Sequence, residues 1–305
     1  MIVIDWLLAG DVAIRYQVHR DVLHSDPSTI GALQQRIATE GWGARYLAMQ
    51  NANGHWGRGY YQPKWTSTHY TLQDLKNFGL PADNPQATAA VGRLLEECLA
   101  EDGGINYSRT LPNSDVCLGG MVLDFGAWFQ PDHPTLDSII NFLLNTQMTD
   151  GGWNCQHLQD ATHSSLHTTL SVLEGFLEYC HSGGIHQLDR ITDAEYEGIE
   201  FILKHKLYQS HRTGRTIKPQ FLLLSYPCRW HYDILRALDY FQKARISYDS
   251  RMQSALDILL KKRRKDGTWP VQNKHPGQIH FELEKTGGPS RWNTLRALRV
   301  LRHLQ

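Results

Sequence analysis

The phrase Gln-x-x-x-Gly-x-Trp is written at Gln50 to Trp56 and at Gln147 to Trp153, and recurs at Arg263 to Trp269 with Arg in place of Gln. A degenerate copy stands at Asp102-Gly103-Gly104-Ile105. Each copy follows one helical pattern and precedes another, and recurrence at such distances marks a stacked repeat. The helices before the loops are amphipathic. Leu136, Ile139, Ile140, Leu143 and Leu144 keep helical spacing, as do Val91, Leu94, Leu95 and Cys98, so each has one wet face. The helices after the loops are apolar round most of their circumference. Residues 164 to 180 carry Leu166, Leu170, Val172, Leu173, Phe176 and Leu177, and 230 to 244 carry Ile234, Leu235, Ala237, Leu238, Tyr240 and Phe241, which predicts burial.

Inner helices are expected at about 11 to 24, 66 to 80, 114 to 129, 163 to 180, 230 to 244 and 290 to 304, with outer helices between them. No strand-like alternation of useful length interrupts them, so the chain reads as all-α. Alternation of buried and amphipathic helices with a period of roughly 50 to 65 residues closes into a ring. The expected fold is an α/α toroid of six hairpins, one domain over residues 1 to 305, with a central apolar cavity. Asn84 followed by Pro85 marks a helix start, and Thr192 with Glu195 fits a capping box.

Lys plus Arg and Asp plus Glu number 31 each, and the basic residues are scattered. That excludes the electrostatic footprint of a nucleic-acid or anionic-membrane binder and leaves a small ligand or a peptide. No apolar run reaches the roughly 18 residues of a membrane span. The odd number of cysteines, Cys98, Cys117, Cys155, Cys180 and Cys228, and the lack of an N-terminal apolar leader pattern lead to the expectation of a reduced, cytoplasmic protein.

The loops entering the inner helices should open at one end of the ring, and their contents are polar and aromatic. They hold Trp65 and His69, then Asp115 and Cys117, His163 and His167, Arg229, Trp230 and His231, and Arg291, Trp292 and Asn293. Asp115, Cys117 and His167 offer oxygen, sulfur and nitrogen, a donor set that suits a three-ligand Zn²⁺ with an open position. The plain alternatives are a helix cap, a core thiol and a core histidine. His231 with Asp233 is a candidate proton-transfer pair, or else Arg229 and Asp233 satisfy helix ends. Arg212, Arg215 and Lys218 form a basic loop able to grip an anion. Trp56, Trp153 and Trp269 read as structural, and Trp65, Trp230 and Trp292 as pocket lining.

These residues resemble the superfamily of terpenoid cyclases and protein prenyltransferases. The Gln-x-x-x-Gly-x-Trp phrases resemble the repeat of squalene-hopene cyclases. The run Gly103-Gly104-Ile-Asn-Tyr-Ser-Arg109, Asp115-Val-Cys117 and His167-Thr168 is similar to the zinc segments of prenyltransferase β subunits. The resemblance implies zinc on Asp115, Cys117 and His167, a thiol substrate attacking an allylic diphosphate, and Arg109 at a diphosphate-binding position. Pro112 and Leu118 depart from that pattern, and the Asp-x-Asp-Asp acid motif of class II cyclases is absent. The expectation is therefore a zinc-dependent, prenyltransferase-like enzyme on an isoprenoid or other apolar substrate. The alternatives are a metal-free terpene-cyclase-like enzyme and a non-catalytic lipid-binding toroid, and a partner subunit or homodimer stays open.

Overall fold

The computed structural model describes residues 3–108, 110 and 112–304. Helices α1 (Val3–Leu8), α2 (Val12–Val18), α3 (Pro27–Arg36) and α4 (Gly41–Leu47) lead into α5 (Thr68–Phe78), α6 (Pro85–Glu97) and α7 (Val116–Phe129). Then follow α8 (Thr135–Asn145), α9 (Leu166–His181), α10 (Leu188–Lys204), α11 (Ile234–Lys243), α12 (Gln253–Lys261) and α13 (Arg291–His303). Among the described residues the only paired strands are β1 (Trp269–Pro270) and β2 (Pro289–Ser290), which lie antiparallel.

Helices α5, α7, α9, α11 and α13 pack in that order, and α13 returns to α2. The ring closes where Gln17 Nε2 donates to the Asn77 carbonyl at 2.8 Å. These are the helices expected to be inner. Helices α3, α6, α8, α10 and α12 lie against them from outside, giving an α/α toroid. Helices α7 and α9 approach most closely because neither carries a side chain at the crossing. A Cβ on Gly120 would sit 2.7 Å from the Ser171 backbone, and one on Gly175 would sit 2.5 Å from the Gly120 carbonyl oxygen.

The repeat phrase is a connecting device between the two layers. The indole Nε1 of Trp56, Trp153 and Trp269 donates to the carbonyls of Tyr46, Leu143 and Leu259, each at 2.7 Å. Those are last-turn carbonyls of α4, α8 and α12, which otherwise accept the longer bonds of the helix end, from the amides of Met49, Thr146 and Lys262 at 3.1 to 3.3 Å. The backbone amide of each Trp then donates to Thr68, Thr169 or Thr294, at the start of the next inner helix, at 2.9 to 3.1 Å. Gln50, Gln147 and Arg263 close the turn by donating to the carbonyls of Gly54, Gly151 and Gly267. Any long N–H donor can do this, so Arg replaces Gln without changing the turn. The glycines stand at φ of 77°, 91° and 84°, where a side chain is strained.

Asn84 caps α6 as expected, accepting from the amides of Gln86 and Ala87. The capping box at Thr192 and Glu195 does not form. Helix α10 starts earlier, at Leu188, because Ile191, Ala194 and Gly198 continue its buried face N-terminally, and Thr192 donates back to the Leu188 carbonyl at 2.9 Å. Glu195 is thereby carried into the α10 interface, where its Oε1 has no hydrogen-bond partner and burial pushes its carboxyl up to about 7. The usual carboxyl ionises near pH 4.5, so its penalty is absent in acid, grows as pH rises to about 7 and is full above that. Glu195→Gln is expected to match the parent near pH 4 and to exceed it in stability at pH 8, by up to about 3 kcal/mol in denaturant titrations at both pH values.

The lumen differs from the apolar cavity expected. Along the inner helices it receives Lys76, Asp124, Glu174, Glu178, Arg236, Asp239, Arg296 and Arg299. Counting apolar residues along α11 detects its outward face, Ile234, Leu238 and Phe241, but misses Arg236 and Asp239 on the inward one. A ring helix has two different walls. The inward wall stays polar because mutual ion pairs satisfy it.

Candidate functional site

At the end of the ring where the inner helices begin, a cavity of about 850 Å³ opens between Tyr61, Asp115, Cys117, Met121, Cys155 and Trp230. Asp115 is the N-cap of α7, and its Oδ1 accepts from the amides of Cys117 at 2.8 Å and Leu118 at 3.1 Å. The cap therefore fixes the carboxylate, and Cys117, two residues on in the first turn of α7, sets its sulfur beside it. Cys155 comes from the loop that Trp153 anchors, and its thiol donates to the same Oδ1 at 3.2 Å and meets Thr168 Oγ1 at 3.3 Å. The ligand atoms of Asp115, Cys117 and Cys155 all lie within 4.8 Å of one another.

The Cys155 thiol is pushed well above the usual range, first by its hydrogen bond with Cys117, then by burial and the Asp115 charge. Two sulfurs and a carboxylate oxygen, with Asp115 Oδ2 outside the cap hydrogen bonds, suit Zn²⁺ chemically. Binding would release the thiol proton.

His167 is the expected ligand that stands outside this group. Its Nδ1 accepts the Tyr232 backbone amide at 2.8 Å, which puts the proton of the neutral ring on Nε2. It packs against Phe221 and Trp230 at 5.1 Å, and burial, aided by Lys218 and Arg236, lowers its pKa to about 3. The third donor at the mouth is Cys155, two residues after a repeat tryptophan. Its only signal in the sequence is that place in a repeat loop leading into an inner helix.

The other expected site residues fall into distinct places. His231 is sandwiched between the rings of Trp230 at 3.8 Å and His275 at 3.6 Å, and burial lowers its pKa to about 3. Asp233 caps α11, accepting from the Arg236 amide on Oδ1 and from Ser225 N and Oγ on Oδ2, and it makes no contact with the His231 side chain. Trp65 is fixed by its Nε1 bond to the Pro276 carbonyl at 2.7 Å. His69 is fully buried, holds Tyr107 Oη at 2.8 Å and has its pKa lowered to about 3 by burial. Arg229 pairs with Asp74 in the lumen, away from the mouth cavity. Arg291 binds the Trp6 carbonyl at 3.0 Å, Trp292 stacks on Tyr226 at 5.0 Å and Asn293 binds the Pro270 carbonyl at 3.0 Å, a packed corner at the start of α13. Arg109 lies outside the described residues. His163 lines the mouth, as do Arg212, Arg215 and Lys218.

Lys64 is a mouth residue that the sequence did not single out. Its Nζ lies 5.6, 5.0 and 5.2 Å from the ring centres of Tyr61, Trp65 and Trp230, and burial lowers its pKa. A cation already occupies the aromatic face that an electron-poor carbon would use.

No protein-family model matches this chain, and no curated protein matches it. Solved structures do. It is similar to a glycosyl hydrolase of family 88 from Bacteroides vulgatus, at 12% identity over 96% of this chain and 91% of that one, with a TM-score of 0.51. A polysaccharide lyase aligns at 10% identity over 96% and 89%, with a TM-score of 0.50. A type II terpene cyclase from Scytonema, in complex with geranylgeranyl dihydroxybenzoate, aligns at 15% identity over 96% and 86%, with a TM-score of 0.46. The first two share the α/α toroid with this chain. Among its described residues no helix is long and apolar enough to cross a membrane.

Proposed function

We propose that this toroid is an enzyme that holds zinc at its mouth and transfers a prenyl or similar apolar group there. The observation that carries the reading is the convergence of Asp115, Cys117 and Cys155 on the wall of the 850 Å³ cavity. Zinc, when bound, supplies activation of a substrate thiol as thiolate or Lewis-acid polarisation. The chain's own groups would do the rest. Leu118, Met121, Phe221 and Trp230 give the cavity an apolar wall, while Lys64, Arg215 and Lys218 face it as cations. That pairing suits an apolar chain with an anionic head. The basic side, Lys64 included, would bind the leaving anion.

Elemental mass spectrometry tests the metal directly. Native protein is expected to carry stoichiometric zinc, Cys117→Ala and Cys155→Ala to lose it, and His167→Ala to retain it, because His167 serves the Tyr232 amide. Zinc kept in both cysteine variants would overturn the site. Folded native protein without zinc would sink the whole reading and leave the metal-free alternatives.

A further inference from the structure

At the end of the ring opposite the mouth lies a second cavity of about 610 Å³, whose lining shares no residue with the first. Its size is within the roughly 300 to 1,000 Å³ typical of small-molecule sites. Its wall runs along the inner helices, from Lys76, Asp124 and Glu178 toward their C-terminal ends to Arg229, Arg236 and Trp292 near the starts of α11 and α13, and it belongs to none of the chemistry proposed above.

Most of its charges are paired with one another, although its seven lining cations outnumber its five lining carboxylates, so Lys243, Arg296 and Arg299 share Asp239, and Arg20 and Arg299 share Asp21. Lys76 binds Asp124 at 2.6 Å and Glu178 at 2.8 Å, and Arg236 holds Glu174 at 2.5 Å. Arg229 pairs with Asp74, and Arg299 bridges Asp239 at 3.0 Å and Asp21 at 2.7 Å. A ligand that drew a lysine, arginine or carboxylate out of one of these buried pairs would strand its partner, which costs far more than a hydrogen bond returns. A hydroxyl needs no such break, because an ion-paired carboxylate keeps lone pairs to accept it. Asp124 meets Lys76 through Oδ1, which leaves its other oxygen such a role.

Two neutral groups point the same way. Gln73, only 5% exposed, lines this cavity one turn before Lys76 on α5, and its Oε1 has no hydrogen-bond partner. Trp128 commits its Nε1 to the Leu80 carbonyl at 2.9 Å, so what it offers the cavity is its ring. An amide acceptor, carboxylate lone pairs and an aromatic face together match the hydroxyls and the apolar C–H face of a sugar ring. We infer that the C-terminal end of the toroid is a binding site for a neutral, polyhydroxylated ligand of mono- or disaccharide size.

Isothermal titration of the full chain with glucose, galactose, maltose, cellobiose and trehalose, at up to millimolar concentration, tests this. At least one sugar is expected to bind, and Gln73→Met, which keeps the volume and removes the acceptor, is expected to weaken it about tenfold with zinc content unchanged. Trp128→Leu should weaken the same sugar through the lost ring face, and serves if Gln73→Met fails to fold. No binding by any sugar of the panel would overturn the inference. So would a sugar bound equally well by both variants, or one whose binding is lost in Cys117→Ala, which would place it at the mouth. Because the zinc assay reads the other end, the two proposals fail separately.

Discussion

Trp153→Ala is expected to lower the stability of the fold by about 3–5 kcal/mol. The side chain is fully buried, packs edge-on against Phe176 at 5.9 Å and lies under Gly198, where an added Cβ would meet the ring at 3.0 Å. Truncation opens a cavity between an outer and an inner helix and leaves the Leu143 carbonyl at the end of α8 with only its longer bonds from Thr146 N and Oγ1, at 3.3 and 3.2 Å. Trp153→Phe separates these effects, since it keeps most of the volume and loses only the indole N–H, so it should cost about 1–2 kcal/mol. Trp56→Ala and Trp269→Ala should match Trp153→Ala, because all three indoles make the same 2.7 Å bond ten residues back. Denaturant midpoints at unchanged slope are the measurement. If Phe were as costly as Ala, the bond rather than the packing would dominate. A cost below about 1 kcal/mol for Ala would refute the device altogether.

That device also explains how much of the molecule was legible. The inner helices were found within a few residues because each repeat turn fixes both the end of one helix and the start of the next. The charged lumen was not found, because Arg236 and Asp239 are a minority within an apolar run, and one-dimensional counting cannot say which face they share. At the mouth, Asp115 and Cys117 sit two residues apart at the start of one helix, where local spacing is informative. Cys155 is brought to them only through the Trp153 loop, a tertiary event that spacing does not encode. His167 was chosen as the nitrogen donor at the start of the neighbouring inner helix as well as by resemblance, and here the Tyr232 amide, left exposed where α11 is entered, claims its Nδ1.

Asp74→Ala is expected to cost about 3–5 kcal/mol, whereas Asp74→Leu combined with Arg229→Met should cost far less or stabilise the chain. Both side chains are about 4% exposed, and Asp74 also accepts from Tyr46 Oη at 3.0 Å. Burial raises the Asp74 pKa more than Arg229 lowers it, while the Arg229 pKa, against the pull of that side chain's own burial, is raised by the Asp74 charge, so each ion leans on the other. Removing one partner alone leaves a guanidinium in the ring with no carboxylate. Arg229 also stands at φ 57°, a conformation that a non-glycine residue holds only when its surroundings enforce it. The charge pair is thus the tie that holds the turn before α11, whose neighbours Trp230 and His231 belong to the mouth. Chemical denaturation of the single and double variants reads the stability, and zinc content of the double variant reads the mouth. A double variant that is stable and still loads zinc would mean that the pair serves the lumen alone. One that is stable but cannot load it would show that the lumen pair positions the mouth through the Arg229 turn.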